Sequence, residues 1–159
     1  MTQTAARCLI LACGNTLRSD DGIGPWLAAW AEQRFGDEPD VRVIARRQWT
    51  PELAEDIARA EAVVFIDCSI ASAPGSVTVV EVQACGRLQG LATHHVGAAE
   101  LLGLARDLYS SLPRSSVLLT VGAGSTELGQ TFSGRLLDAI PEARGRLERT
   151  VLELLRRHD

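Results

Sequence analysis

The sequence predicts an α/β protein: a three-layer sandwich in which helices flank a twisted, mostly parallel mixed sheet of five strands. Short apolar runs with strand character alternate along the chain with amphipathic helical segments, the order typical of parallel sheets. The 159 residues fit one domain that spans the whole chain, 1–159. A composition that is 46% hydrophobic and 23% charged is typical of a globular protein and excludes a largely disordered one.

The first half of the chain predicts three strands and two helices. Residues 7–13 are an apolar run that ends at Gly-Asn, and residues 22–35 carry apolar side chains at helical spacing, so together they predict a βα unit. A second strand over 41–45, a short helix over 51–60 and a continuously apolar third strand over 62–66 follow.

The second half adds two strands and two helices. After a Pro-Gly turn, residues 76–82 alternate, which predicts an edge strand that runs antiparallel to the third strand. An amphipathic helix over 97–109 and a buried strand over 117–121 come next. From residue 131 onward the pattern is helical, and Pro141 is expected to interrupt it.

The net charge, the N-terminal pattern and the length of the apolar runs bear on which partners and which compartment are expected. The net charge is −4 and the basic residues are scattered, so a nucleic-acid partner is not expected. The N-terminus lacks the pattern of a signal peptide, and no apolar run approaches the roughly 20 residues that span a bilayer. We therefore expect a cytoplasmic protein without a membrane partner.

The four cysteines, Cys8, Cys13, Cys68 and Cys85, do not form a C-x-x-C pair. Two of them fall in strand patterns, where a small buried apolar residue fits. We interpret all four as reduced structural thiols, with metal ligands or a disulfide as the alternative. Replacement of Cys13 or Cys85 is then expected to change stability and to leave activity intact.

Three polar clusters lie where predicted strands end or a helix begins: the adjacent Asp20 and Asp21 after the first strand, Asp67 after the third, and the pair His94-His95 before the amphipathic helix. Ligand sites of parallel sheets lie at the carboxyl ends of the strands. A cap of the following helix is the structural alternative for the first pair. For the histidines, the helix N-terminus favours the neutral imidazole that binds metal.

If the clusters converge, two carboxylates and one imidazole form an O,O,N site with open coordination positions. A metal could bind there and still accept further ligands. The rival hypothesis is an α/β module that binds an anion or a nucleotide without catalysis and uses the loop at Gly14-Asn15 and the helix N-terminus. Two adjacent carboxylates disfavour that hypothesis, because they repel a phosphate unless a cation intervenes.

The residues that follow the first strand carry a family resemblance. Residues 9–24, LILACGNTLRSDDGIG, resemble the N-terminal signature of the hydrogenase maturation endopeptidases, a G-x-G-N loop followed by D-[DE]-x-x-G. The later Val-Phe-Ile-Asp ending at Asp67 and the His94-His95 pair occur in the family's order and at similar distances. The resemblance covers nearly the whole chain, and the combination is more specific than any one motif.

The resemblance implies an endopeptidase that removes the C-terminal extension of a nickel-loaded [NiFe] hydrogenase large-subunit precursor. It assigns the nickel ligands to Asp21, Asp67 and His95, with His94 as the fallback for the histidine, and makes the two aspartates the catalytic residues. The client presents the nickel, and zinc or cadmium could substitute for it. Whether the ion polarises the carbonyl or a carboxylate activates water stays open, and a monomer is expected.

Two departures from the family pattern stand out. Ala12 occupies the position of the first glycine of the loop, so the backbone dihedral angles accessible there are more restricted than in the family pattern. Residues 46–53, RRQWTPEL, replace a segment that in many members is glycine-rich and begins with an acidic residue. We expect this segment to face the client, so the departure leaves the identity of the client open.

Overall fold

The computed structural model describes residues 5–86 and 96–157 of the chain. Five strands form one sheet in the order β2-β1-β3-β5-β4: β1 (Cys8–Cys13), β2 (Val41–Arg46), β3 (Ala62–Ser69), β4 (Val77–Glu81) and β5 (Ser115–Gly122). All neighbouring pairs are parallel except β4 and β5, which are antiparallel. The predicted five-stranded, mostly parallel mixed sheet is confirmed.

Within the described ranges, four helices cover the two faces of the sheet: α1 (Ile23–Arg34), α2 (Leu53–Arg59), α3 (Ala98–Tyr109) and α4 (Gly134–Arg157). Buried side chains of α1 and α4 pack on one face. Those of α2 and α3 pack on the other face. The three-layer sandwich is therefore also confirmed. No helix in the described part of the chain combines the length and apolarity needed to cross a membrane.

Burial on both faces explains the sequence of the central strands. All six residues of β1 are buried, and the first five residues of β3 are fully buried. Ile10 and Val64 face α1 and α4, whereas Leu11 and Phe65 face α2 and α3. Strands that contact helices on both sides cannot alternate apolar with polar residues, which is why these two read as continuous apolar runs.

β4 lies at an edge of the sheet and runs antiparallel to β3, as predicted, but the two strands are not hydrogen-bonded to each other. The partner of β4 is β5, which lies between β3 and β4. The alternation of β4 leaves Thr78 and Val80 exposed, as an edge strand permits. β5 takes the inner position, where both its backbone edges are hydrogen-bonded.

Pro141 does not interrupt the last helix, contrary to the prediction. The helix α4 runs through it from Gly134 to Arg157. Pro141 lacks the N–H that would bond the carbonyl of Leu137, and both residues are exposed, so water can bond this carbonyl instead. Burial of one apolar stripe on the sheet then maintains the helix: Leu136, Ala139, Ala143, Leu147, Val151 and Leu154.

The order of the strands fixes where a ligand can bind. From β1 the chain crosses through α1 to β2 on one side, and from β2 it returns through α2 to β3 on the other side of β1. The two helices lie on opposite faces of the sheet, so a crevice opens between the carboxyl ends of β1 and β3. Ligands of open α/β sheets bind in such crevices.

Candidate active site

A cavity of about 520 Å³ lies in this crevice. Asp67, near the end of β3, and Asp21, from the 3₁₀ turn Ser19–Gly22 that follows β1, both line it. The sequence-predicted carboxylates thus meet at one cavity, although their chain positions are 46 residues apart. The remaining described lining residues are the last residue of β1 and residues of the surrounding loops: Cys13, Gly14, Asn15, Arg18, Arg47, Gln48, Trp49, Val96 and Gly97.

Two glycines allow the 3₁₀ turn to pack against the end of β1. Gly14 has a φ of +156°, and a Cβ there would lie 2.0 Å from the backbone oxygen of Asp21. A Cβ on Gly24 would lie 2.1 Å from the backbone oxygen of Cys13. Any side chain at either position would push the turn away from the strand. These contacts give a physical reason for the glycines in the G-N and D-D-x-x-G parts of the motif.

The adjacent acids Asp20 and Asp21 have different environments. Asp21 is half-buried at the cavity, and its Oδ2 accepts the backbone N–H of Asn15 at 2.7 Å. Asp20 is fully buried and points away, towards the loop before α4. Neither side chain caps the 3₁₀ turn or α1, so the capping alternative does not hold. The first acid of the pair is structural, and the second faces the cavity.

Asp20 has four hydrogen-bond donors. Its carboxylate accepts the backbone N–H groups of Gly124 at 2.7 Å, Ser125 at 3.1 Å and Ser133 at 2.7 Å, and the Ser133 hydroxyl at 2.6 Å. Burial alone would raise the pKa of Asp20, but these bonds favour the charged form and outweigh it, so the pKa is lowered. No local sequence pattern predicts this contact, because the partners lie more than 100 residues away along the chain.

Asp67 lies in a less polar environment. Its Oδ1 accepts the backbone N–H of Cys68 at 2.8 Å, and the Cys13 thiol donates to the carboxylate from the neighbouring strand. Burial raises the pKa of Asp67, the bonds from Cys13 and Cys68 lower it, and the charge of Asp21 raises it again. The net shift is upward, and Asp21, which lines the same cavity, contributes to it through charge repulsion.

His94 and His95 lie outside the described residues. The residues that follow them, Val96 and Gly97, line the cavity immediately before α3. Within residues 5–86 and 96–157, no group of three His, Cys, Asp or Glu side chains is placed to hold a metal ion. The role of His95 as the third ligand therefore stays a prediction.

The segment that departs from the family pattern borders the cavity. Arg47, Gln48 and Trp49 line it, and the backbone N–H of Gly14 donates to the carbonyl of Arg46 at 3.1 Å. Trp49 is only 4% exposed and meets Phe65 edge-on, with 5.3 Å between ring centroids. Its buried indole N–H has no acceptor among the described residues. A core aromatic side chain thus fixes this segment beside the two carboxylates.

Solved structures with the same architecture include several hydrogenase maturation peptidases. The hydrogenase maturating endopeptidase HybD from E. coli is 21% identical, with a TM-score of 0.74 over 92% of this chain and 93% of that chain. The [NiFe] hydrogenase maturation protease HybD from Thermococcus kodakarensis is 25% identical, with a TM-score of 0.65 over 91% and 98%. A hydrogenase 2 maturation peptidase from a Thaumarchaeota archaeon is 24% identical, with a TM-score of 0.65 over 91% and 97%.

The chain has the fold of the hydrogenase maturation endopeptidases. These structures match the chain over almost its full length and so confirm the resemblance inferred from the sequence. No protein-family model matches the chain, and no curated protein matches it.

The cysteines of this endopeptidase-like fold differ in their distance from the cavity: Cys13 lines it, whereas Cys85 lies elsewhere. All four thiols are free. Burial raises the pKa of Cys8 to about 12, and burial with the nearby aspartates raises that of Cys68 to about 12. Burial, followed by the charge and hydrogen bond of Asp67, raises the pKa of Cys13 as well. Cys85 is half-buried and packs against Gly103 of α3, away from the cavity.

This difference changes the expectation for Cys13. Cys85→Ala should cost about 1–2 kcal/mol of unfolding free energy and leave activity unchanged. Cys13→Ala removes a donor to Asp67 and should lower activity about threefold to tenfold, whereas Cys13→Ser keeps a donor and should retain more of it. Urea unfolding and cleavage rates of the three variants measure this. Equal rates for Cys13→Ala and wild type would show that the thiol only fills space.

Proposed function

We propose that this chain is an endopeptidase that removes the C-terminal extension of a nickel-loaded [NiFe] hydrogenase large-subunit precursor. One observation carries the proposal: Asp21 and Asp67 share the cavity between β1 and β3, within a fold found in hydrogenase maturation peptidases. The rival nucleotide-binding module has no support from the similar structures. Two carboxylates in the cavity would also repel a phosphate group.

The donor set fits a nickel ion that belongs to the client. Oδ2 of Asp21 and Oδ1 of Asp67 each accept a backbone N–H, and both carboxylates face the cavity. With His95 as the third ligand, Asp21 and Asp67 would supply an O,O,N set that is too small to complete a nickel coordination shell. The client would contribute the remaining ligands, so nickel would mark a precursor as ready for cleavage. Zinc or cadmium would occupy the same place.

The same residues would perform the catalysis. Asp21 and Asp67 would hold the metal-bearing segment of the client against the cavity and so place the scissile bond next to a carboxylate, where orientation alone accelerates cleavage. Peptide hydrolysis also needs a group that accepts a proton from water, and a carboxylate can do this. We propose that the protein acts in the cytoplasm as a monomer, where the large-subunit precursor is its partner.

A gel assay with purified precursor tests the function. We expect the wild-type protein to shorten nickel-loaded precursor and to leave nickel-free precursor intact, because the bridging ion is missing from the latter. The isolated protein should bind nickel only weakly, with a small thermal shift at millimolar metal. Equal cleavage with and without nickel would contradict recognition through the metal, and no cleavage of either form would contradict the peptidase assignment.

A further inference from the structure

Two arginines line the cavity that holds the carboxylates. Arg18 lies in the loop after β1 and Arg47 in the loop after β2, and both are exposed. Neither guanidinium forms an ion pair or a side-chain hydrogen bond within residues 5–86 and 96–157. Among the described residues, the cavity is therefore lined by two acidic and two basic side chains, and its arginines can bind an anionic group of a ligand.

The backbone holds both arginines in place. The carbonyl of Arg18 accepts the N–H of Asp21 at 3.1 Å, and its N–H donates to the carbonyl of Asn15 at 3.0 Å. Arg47 lies between Arg46, which is bonded to Gly14, and the core residue Trp49. Because the flanking backbone is fixed, a charged ligand does not have to order these loops when it binds.

The carboxylates and the guanidinium groups of the cavity bind ligands of opposite charge. A carboxylate binds a cation, whereas a guanidinium binds a carboxylate through two parallel hydrogen bonds. A dianionic phosphate would be repelled by Asp21 and Asp67 in the same cavity, so a singly charged carboxylate fits better. We propose that Arg18 and Arg47 form a subsite for an acidic side chain of the client, next to the position of its metal. This inference rests on the proposed function and specifies which client segments the protein accepts.

Arg46 provides a matched control on the same segment. It is exposed like Arg47, but its guanidinium donates to the carbonyl of Ala45 at 2.9 Å and it does not line this cavity. Arg46→Gln and Arg47→Gln remove the same charge from neighbouring positions. Both substitutions are on the surface, so both variants should fold with stability close to that of the wild type.

Steady-state cleavage of nickel-loaded precursor is the first measurement. We expect Arg47→Gln and Arg18→Gln to raise KM about tenfold each with little change in kcat, because a charge-assisted bond to the bound client is lost. Arg46→Gln should stay within about twofold of the wild type. The KM of the wild type should also rise with salt more steeply than that of Arg47→Gln. Unchanged KM in both cavity variants, with an active wild type, would overturn the subsite and leave the proposed function standing.

Binding of labelled peptides from the client's cleavage region gives a readout that does not require cleavage. Peptides in which each Asp or Glu is changed in turn to its amide should identify one acid whose loss weakens binding about tenfold. Amidation of the peptide C-terminus should have no such effect, and the opposite pattern would overturn the assignment to a side chain. For the Arg47→Gln variant, changing that acid to its amide should no longer weaken peptide binding. If the wild type cleaves no precursor but still shows this acid preference, the function fails and the subsite stands; no preference overturns the subsite.

Discussion

Asp21→Asn and Asp67→Asn are each expected to lower cleavage of nickel-loaded precursor by about 100-fold or more, a typical loss when a positioned acid–base group is removed. Asparagine nearly preserves the shape of aspartate but removes its charge and weakens its binding to a metal. Both side chains face the cavity and not the core, so the variants should fold. His95→Ala should cause a similar loss if the third ligand is assigned correctly.

The control for these variants is an aspartate remote from the cavity. Asp37 is exposed in the loop between α1 and β2, and Asp37→Asn should cleave at the wild-type rate. Circular dichroism and urea unfolding should show that all four proteins are folded. Wild-type rates in folded Asp21→Asn and Asp67→Asn would remove both residues from the site. Loss in only one of them would show that a single carboxylate is sufficient for activity.

Local patterns predicted most of the fold. The central strands were recognisable because burial on both faces leaves continuous apolar runs, and α3 and α4 because each buries one stripe. The partner of β4 was not predictable, because alternation indicates an edge strand without saying which strand lies beside it. The continuity of α4 through Pro141 depends on tertiary packing that outweighs a local cost.

The candidate site was predictable in part. The rule that ligands bind at the carboxyl ends of parallel strands selected the pair Asp20-Asp21 and Asp67. The family resemblance selected Asp21 within the pair, and the cavity contains Asp21 and Asp67. The unusual segment 46–53 was expected to face the client, and Arg47 and Gln48 do line the cavity. The roles of Cys13 and Asp20 were missed, because each depends on a contact across the fold that leaves no pattern in the adjacent residues.

Asp20→Ala is expected to cause the largest loss of stability, about 3–5 kcal/mol of unfolding free energy. The carboxylate is fully buried, and its removal leaves three backbone N–H groups and one hydroxyl without their acceptor. The loss extends to α4, because the Ser133 hydroxyl that donates to Asp20 also accepts the N–H of Leu136 at the start of that helix. Asp20 therefore links two parts of the fold: the 3₁₀ turn, which contains Asp21, and the start of α4.

Urea unfolding of Asp20→Ala, Ser133→Ala and the double variant can separate these contributions. Ser133→Ala removes one donor and the helix cap, so it should cost about 1–2 kcal/mol. Since the two side chains interact directly, the double variant should be more stable than the sum of the single losses implies. Asp20→Ala should also reduce cleavage by displacing Asp21, whereas Ser133→Ala should affect it less. If Asp20→Ala unfolds at the wild-type urea concentration, the four bonds to the Asp20 side chain contribute no net stability, and the 3₁₀ turn is held by its other contacts, among them the bond from the Asn15 N–H to Asp21 and the bonds from Ser19 to Glu127 and Gly129.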